Sequence, residues 1–150
     1  MNWTEYFLGI AEQVKLKSKD QSTQIGAVIV GQDNEVLSTG YNSFPRGMDD
    51  SKYERQERPE KYFWFEHAER NAIYNAAKVG TPIEGSSIYL TSGPPCADCA
   101  RGIINAGITT LYCDRPDDTK KSSSYIESFK RSREMLIEAD VKICFYDEEE

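Results

Sequence analysis

The chain contains the stretch His67-Ala68-Glu69 and, further along, Pro94-Pro95-Cys96-Ala97-Asp98-Cys99. His67 is the single histidine of the sequence. An imidazole and two thiolates are zinc ligands, and a site with three protein ligands keeps its fourth position open for water. The pattern therefore predicts one catalytic zinc ion per chain, held by His67, Cys96 and Cys99.

Both halves of this pattern stand at predicted helix starts. Small apolar residues follow His67 at helical spacing, and Gly80 ends that helix. The positive end of a helix dipole lowers the pKa of a thiol and so favours the thiolates that zinc needs at Cys96 and Cys99. Glu69 is not required as a ligand. It is predicted to take the proton of the water and deliver it to the substrate.

Apolar periodicity predicts the architecture around these two helices. Five segments are typical of strands, namely residues 25–30, 36–41, 87–91, 110–113 and 141–146. Four segments are typical of helices, namely residues 3–14, 67–80, 96–106 and 125–139. The first two strands form a predicted hairpin, whereas helices join the later ones. We therefore expect a three-layer α/β/α fold with a central five-stranded mixed sheet. Residues 42–61 and 114–124 are predicted loops.

Length and charge limit the organisation and the partners. With 150 residues, the chain is expected to form a single domain over residues 1–150, with residues 147–150 as an acidic tail. The net charge is −7 and the pI about 4.9, which favours a small diffusible substrate over long nucleic acid. No apolar run reaches membrane-spanning length and no secretory signal is present, so we expect no membrane partner and a cytoplasmic location.

Two other uses of the cysteines compete with a catalytic zinc. Cys113 or Cys144 could complete a structural zinc site with four protein ligands. Alternatively, the Cys-x-x-Cys could be a redox pair, although His67 and Glu69 would then go unexplained. Both Cys113 and Cys144 lie in predicted apolar strands, which favours inert core thiols.

Several stretches resemble a known family. They are Gln24-Ile25-Gly26-Ala27-Val28-Ile29-Val30, Gly40-Tyr41-Asn42-Ser43-Phe44-Pro45-Arg46-Gly47, His67-Ala68-Glu69-Arg70-Asn71-Ala72-Ile73, Cys96-Ala97-Asp98-Cys99-Ala100-Arg101 and Ile103-Ile104-Asn105-Ala106-Gly107-Ile108. Together they resemble the cytidine deaminase superfamily, and within it the deoxycytidylate (dCMP) deaminases. The zinc motif marks the superfamily, and the Gly-Tyr-Asn loop narrows the resemblance towards nucleotide substrates.

The resemblance implies a cytidine-deaminase-like fold and a reaction. The reaction is hydrolytic deamination of dCMP to dUMP and ammonia, which supplies the thymidylate pathway, with zinc-activated water and Glu69 as proton shuttle. Asn42 would contact the nucleotide sugar, and the backbone of Ala68 would face the base. Arg46 is the first candidate for the 5′-phosphate. Its rivals are Lys52, Arg55, Arg58, Arg70 and Arg115.

The resemblance also implies an assembly and leaves alternatives open. A homo-oligomer, a hexamer or a dimer, is implied, as is Mg²⁺ accompanying a regulatory nucleotide triphosphate in some members. Ser43 replaces the usual loop glycine and puts that regulation in doubt. Alternative functions are a deaminase of another base or nucleotide (dCTP, 5-substituted dCMP, guanine or tRNA adenosine) and a non-catalytic zinc-binding interaction module.

Overall fold

The computed structural model describes residues 1–117 and 123–148. In these ranges the α-helices are α1 (Trp3–Lys15), α2 (Lys61–Trp64), α3 (Ala68–Val79), α4 (Ala97–Asn105) and α5 (Ser123–Glu138). The strands are β1 (Gly26–Val30), β2 (Val36–Tyr41), β3 (Ser87–Leu90), β4 (Thr110–Cys113) and β5 (Lys142–Phe145), and a 3-10 turn spans Tyr53–Gln56. No helix in the described ranges is both long and apolar enough to cross a membrane.

The five strands form one sheet in the order β2-β1-β3-β4-β5. Strand β1 pairs antiparallel with both β2 and β3, whereas β3, β4 and β5 run parallel. The hairpin makes the first pair antiparallel, and the crossovers through α4 and α5 make the later pairs parallel. The predicted mixed five-stranded sheet is confirmed.

Helices cover both faces of the sheet. On one face, Phe7 and Ala11 of α1 pack against Val28 and Val30 of β1. On the other face, α3, α4 and α5 pack on the sheet through a cluster that includes Ala72, Ile103, Leu136, Ala27 and Leu111. Alternate residues of β1 therefore serve opposite layers, as the period of a strand requires. The three-layer α/β/α arrangement predicted from the sequence is confirmed.

Gly40 allows α3 to lie directly on β2. A Cβ atom at Gly40 would stand 2.6 Å from the carbonyl oxygen of Ala68 and closer still to the amide nitrogen of Ala72. Only a residue without a side chain permits that approach. The contact fixes the first turn of α3, and with it the predicted zinc ligand that precedes this turn.

The segment after β2 contains more regular structure than the sequence predicts. We expected a loop over residues 42–61, but it contains the 3-10 turn, and α2 begins at its end. Trp64 holds this region together because its indole N–H donates to Glu60 at 2.9 Å and the Arg55 guanidinium lies 3.7 Å from its ring centroid. Helices of about one turn are too short for periodicity to reveal.

The second predicted loop, over residues 114–124, is described only in part. Residues 118–122 lie outside the described ranges, and α5 begins two residues before the predicted start at 125. Of the predicted acidic tail, residues 149–150 also lie outside these ranges. Its first residue, Asp147, accepts a hydrogen bond from the Arg115 guanidinium at 2.7 Å.

Candidate active site

His67 occupies the N-cap position of α3. Its backbone is extended (φ −79°, ψ 153°), and its carbonyl oxygen accepts the N–H of Asn71 at 3.0 Å. The residue before it, Glu66, exchanges two backbone hydrogen bonds with Ser43, at 2.8 and 3.1 Å. The imidazole is therefore presented from a helix end that is attached to the segment following β2.

Cys96 occupies the N-cap position of α4. Its Sγ accepts the N–H of Cys99 at 3.5 Å, which places both thiols at the N-terminal turn. The backbone N–H of Ala97, which has no partner within α4, donates to Ser128 Oγ of α5 at 3.0 Å. A serine from a different helix thus satisfies one of the unpaired donors that every helix start exposes.

The three predicted ligand atoms converge. Nδ1 of His67 lies 3.4 Å from Sγ of Cys96 and 3.3 Å from Sγ of Cys99. A tetrahedral zinc with Zn–N near 2.0 Å and Zn–S near 2.3 Å requires N···S separations of about 3.6 Å. The donor set therefore fits a zinc ion with shifts of a few tenths of an ångström.

A fourth protein ligand is absent from the described ranges. Across residues 1–117 and 123–148, no further cysteine, histidine, aspartate or glutamate joins the group of His67, Cys96 and Cys99. Cys113 is fully buried in β4, and burial raises its pKa to about 12. The alternative of a structural site completed by Cys113 or Cys144 is therefore not supported, and the three-ligand set leaves a position for water.

The thiols and the imidazole interact strongly with one another. A hydrogen bond from the Cys99 thiol, aided by His67, lowers the pKa of Cys96 to about 4 against the effect of burial. The same contact holds the pKa of Cys99 above its usual range, and burial adds to it. Hydrogen bonding to Cys96 raises the pKa of His67. Metal binding must displace these shared protons, so zinc affinity will fall as the pH falls.

Glu69 is buried beside the three ligand residues. It lies in the first turn of α3 with 5% of its surface exposed. Burial raises its pKa, and the charge of His67 offsets this only in part. A carboxyl group whose pKa is moved towards neutrality can both accept and return a proton, which is the requirement for a shuttle.

Of the predicted substrate-binding residues, Ala68 adjoins the zinc ligand His67, whereas Asn42 lies 25 positions earlier in the chain. Ala68 is fully buried and begins α3, between His67 and Glu69. Asn42 directly follows β2 and is 6% exposed, with its side chain hydrogen-bonded to the segment before β1. Their substrate contacts stay predictions.

The predicted phosphate ligand, Arg46, contacts α3. Its guanidinium donates to Asn75 Oδ1 at 2.6 Å, and Asn75 in turn donates to the carbonyl of Thr39 at 2.8 Å. Among its rivals, Arg70 pairs with Glu66 at 2.6 Å, and its Nε is buried with no hydrogen-bond partner among the described residues. The phosphate-binding residue stays a prediction.

Helix α5 contributes residues near the site that the sequence does not predict. Besides Ser128, this helix carries Tyr125 within electrostatic range of the site: burial raises the pKa of Tyr125, and the charges of Glu69 and Cys96 raise it further. No motif or spacing signals these two residues, because α5 reaches the zinc ligands only through the tertiary fold.

Comparison with known proteins agrees with this geometry. Residues 1–114 match the family described as the cytidine and deoxycytidylate deaminase zinc-binding region. The chain is 39% identical over 144 residues to an uncharacterized deaminase in the luxG 3′ region of Aliivibrio fischeri, covering 95% of this chain and 92% of that protein. It is 39% identical over 113 residues to human deoxycytidylate deaminase, covering 72% of this chain and 62% of the human protein.

A solved structure shares the fold. The dCMP deaminase of cyanophage S-TIM5, crystallised with dCMP and dUMP, superposes with a TM-score of 0.72 over 94% of each chain, at 23% sequence identity. At 23% sequence identity the superposition establishes the architecture of the chain and does not identify its substrate.

Proposed function

The chain belongs to the cytidine and deoxycytidylate deaminase zinc-binding family, and on that premise we propose that it hydrolyses dCMP to dUMP and ammonia. The observation that carries the proposal is the convergence of His67, Cys96 and Cys99 beside the buried carboxyl group of Glu69. Three ligands and an adjacent proton carrier are what a hydrolytic deaminase needs.

Each residue has a defined task in this reaction. His67, Cys96 and Cys99 would hold a zinc ion, which would supply the positive charge that makes the attacking water more acidic. Glu69 accepts a proton from the attacking water and delivers it to N3 of the cytosine ring. The oxygen of the water bonds to C4. Glu69 then takes the remaining proton from the hydroxyl group formed there and transfers it to the leaving amino group, so that water and dCMP give dUMP and ammonia. The backbone of Ala68 faces the base.

Charge and relatives support a free nucleotide as substrate. A net charge of −7 opposes binding to long nucleic acid, whose affinity depends on neutralising many phosphates. Curated relatives from human and mouse are deoxycytidylate deaminases, 39% and 35% identical. Asn42 would contact the sugar and Arg46 the 5′-phosphate.

The test is a deamination assay on zinc-loaded protein with dCMP, dCTP, CMP, deoxycytidine and guanine offered side by side. Ammonia release and product mass are measured. Turnover of dCMP well above the other four supports the proposal. Turnover confined to a free base or nucleoside would agree with zinc-dependent deamination but would contradict the proposal that dCMP is the substrate.

We further propose that the protein is a homo-oligomer, a hexamer or a dimer, in the cytoplasm. Light scattering at micromolar concentration tests the assembly, and a monomer would contradict it. Regulation by a nucleotide triphosphate with Mg²⁺ is tested by adding dCTP or dTTP with Mg²⁺ to the dCMP assay. An unchanged rate would exclude it under those conditions.

A further inference from the structure

A buried ion pair stands beside the segment that leads to the zinc ligands. Nζ of Lys61 lies 2.8 Å from Oδ1 of Asp20, and the two side chains are only 9% and 6% exposed. Taking two charges out of water is costly, and a buried pair is rarely more stable than a well-packed apolar pair. The role of such a pair therefore lies in the neighbouring groups that it orients.

The carboxylate of Asp20 organises the chain before β1. Its Oδ1 accepts the backbone N–H groups of Ser22 and Thr23 at 2.8 and 3.1 Å. Lys61 also donates to Ser22 Oγ at 2.8 Å, and its ammonium lies 5.3 Å from the ring centroid of Phe65. The ion pair thus joins α2 to residues 20–23.

The second oxygen of this carboxylate holds Asn42. Asn42 Nδ2 donates one hydrogen to Asp20 Oδ2 at 3.2 Å and the other to the carbonyl of Thr23 at 2.8 Å. Its Oδ1 accepts the N–H of Ile25 at 2.8 Å. An asparagine amide offers two donor hydrogens and two acceptor lone pairs. Both hydrogens are therefore engaged, and one lone pair of Oδ1 remains without a partner among the residues that the structure describes.

We propose that Lys61 and Asp20 are positioning residues that fix the Asn42 amide in one orientation, in which Asn42 can meet substrate only as an acceptor for a sugar hydroxyl. This rests on the proposed function, in which Asn42 contacts the sugar of dCMP. The sugar of dCMP has one hydroxyl, at the 3′ position, so that group must be the donor.

The opposite amide orientation is excluded by its neighbours. A flipped amide would point its oxygen at the Asp20 carboxylate and the Thr23 carbonyl, and its N–H group at the N–H of Ile25. The flip therefore replaces three hydrogen bonds by repulsions. The charge of Lys61 keeps Asp20 ionised, and an ionised carboxylate can only accept. Removing that charge weakens the constraint on Asn42, because only the Thr23 carbonyl and the Ile25 N–H then remain to select the amide orientation.

The test compares dCMP with two analogues in the wild-type enzyme. In 2′,3′-dideoxy-CMP the hydroxyl is absent, and in the 3′-amino analogue an N–H donor replaces it. We expect kcat/KM to fall about 10- to 100-fold for the dideoxy analogue, because Oδ1 loses its donor, and to be largely retained for the amino analogue. Equal kcat/KM for dCMP and the dideoxy analogue would contradict the proposal that Asn42 Oδ1 accepts a hydrogen bond from the 3′-hydroxyl.

The ratio of kcat/KM for dCMP to kcat/KM for the dideoxy analogue is then measured in Lys61→Met and in the double variant Asp20→Asn/Lys61→Met. Lys15→Met is the matched control, since it removes a partly exposed lysine that pairs with Glu12 on α1. The ratio of kcat/KM for two substrates does not depend on how much enzyme is folded, so partial unfolding cannot imitate the result.

We expect the preference for dCMP over the dideoxy analogue to shrink about tenfold in both Lys61 variants and to stay unchanged in Lys15→Met. An unchanged preference in zinc-loaded Lys61→Met would mean that the ion pair is structural only. If wild-type enzyme fails to turn over dCMP, the proposed function itself fails. If it turns over dCMP without regard to the hydroxyl, only this inference fails.

Discussion

Two buried carboxyl groups in this protein have pKa values that move in opposite directions. Burial raises the pKa of Glu69, and the charge of His67 offsets it only partly. Burial also acts to raise the pKa of Asp20, but hydrogen bonds from Lys61, Ser22 and Thr23 outweigh it and lower that pKa overall. Glu69 is therefore suited to exchanging protons, whereas Asp20 is suited to staying ionised and orienting its neighbours.

The lowered pKa of Asp20 predicts a pH-dependent contribution to stability. Because the pKa is lower in the folded state, the contribution is complete above the unfolded value of about 3.9 and is lost as the pH falls through the folded value. Asp20→Asn should destabilise the protein by about 3 kcal/mol at pH 7, since it leaves the Lys61 charge buried without its partner.

Urea unfolding of wild type and Asp20→Asn from pH 7 to pH 3 measures this contribution. The difference in unfolding free energy should be constant between pH 7 and 5 and shrink below about pH 4. Loss of zinc in acid affects both proteins alike and cancels in the difference. A difference that grows as the pH falls would contradict the predicted direction.

At this scale the sequence predicts the reactive residues and misses those that orient them. His67, Cys96 and Cys99 are predictable because their residue types and spacing match the demands of zinc. The hydrogen bonds of Asn42, Ser128 and Lys61 are not predictable in this way. Lys61 and Asp20 are 41 positions apart, and Ser128 is 31 positions from Ala97, so only the folded chain pairs them.

Among the elements, the packing of α3 on β2 determines the position of the candidate site, because the first turn of α3 contains Ala68 and Glu69. A methyl group at Gly40 would meet the backbone of that turn within 2.6 Å of the Ala68 carbonyl oxygen. Backbone atoms cannot move aside as a flexible side chain can, so α3 itself would have to shift.

We predict that Gly40→Ala costs about 2 kcal/mol or more and lowers dCMP turnover at least tenfold, since overpacking displaces Glu69 from its position. Gly9→Ala is the matched control: Gly9 is an exposed residue of α1, with no atom within 4 Å of the added methyl group. That change should stabilise the protein by about 0.5–1 kcal/mol. Thermal melts and steady-state rates measure both, and a harmless Gly40→Ala would contradict the packing argument.

The sequence predicts long elements better than short ones. Each predicted strand and each helix of more than two turns is present, with ends that differ from the predicted ones by at most two residues. Helix α2 was missed because four residues show no period, and its ends are set by contacts such as the Lys61–Asp20 pair. Local sequence therefore indicates the sheet and its main helices, whereas tertiary contacts decide the connections.

On the scale of the whole molecule, the zinc centre joins the starts of two helices that pack on the same face of the sheet. His67 precedes α3, and Cys96 and Cys99 open α4, so a bound ion ties the two helix starts together. Zinc at 100 times its dissociation constant should stabilise the folded state by about 2.7 kcal/mol.

We expect removal of zinc with a strong chelator to lower the melting temperature by several degrees, and zinc readdition to restore it. Differential scanning calorimetry, with metal analysis of each sample, measures the shift. An unchanged melting temperature after verified zinc loss would show that the sheet and its helices are stable without the ion.

The most direct test of the central claim, that Glu69 moves protons at a zinc centre, is the dCMP deamination rate of Glu69→Gln measured together with its zinc content. Glu134→Gln makes the same chemical change at an exposed position of α5 and serves as control. We predict that Glu69→Gln keeps one zinc per chain and loses at least about 100-fold in kcat, while Glu134→Gln retains the wild-type rate. Wild-type turnover by folded, zinc-loaded Glu69→Gln would contradict the account.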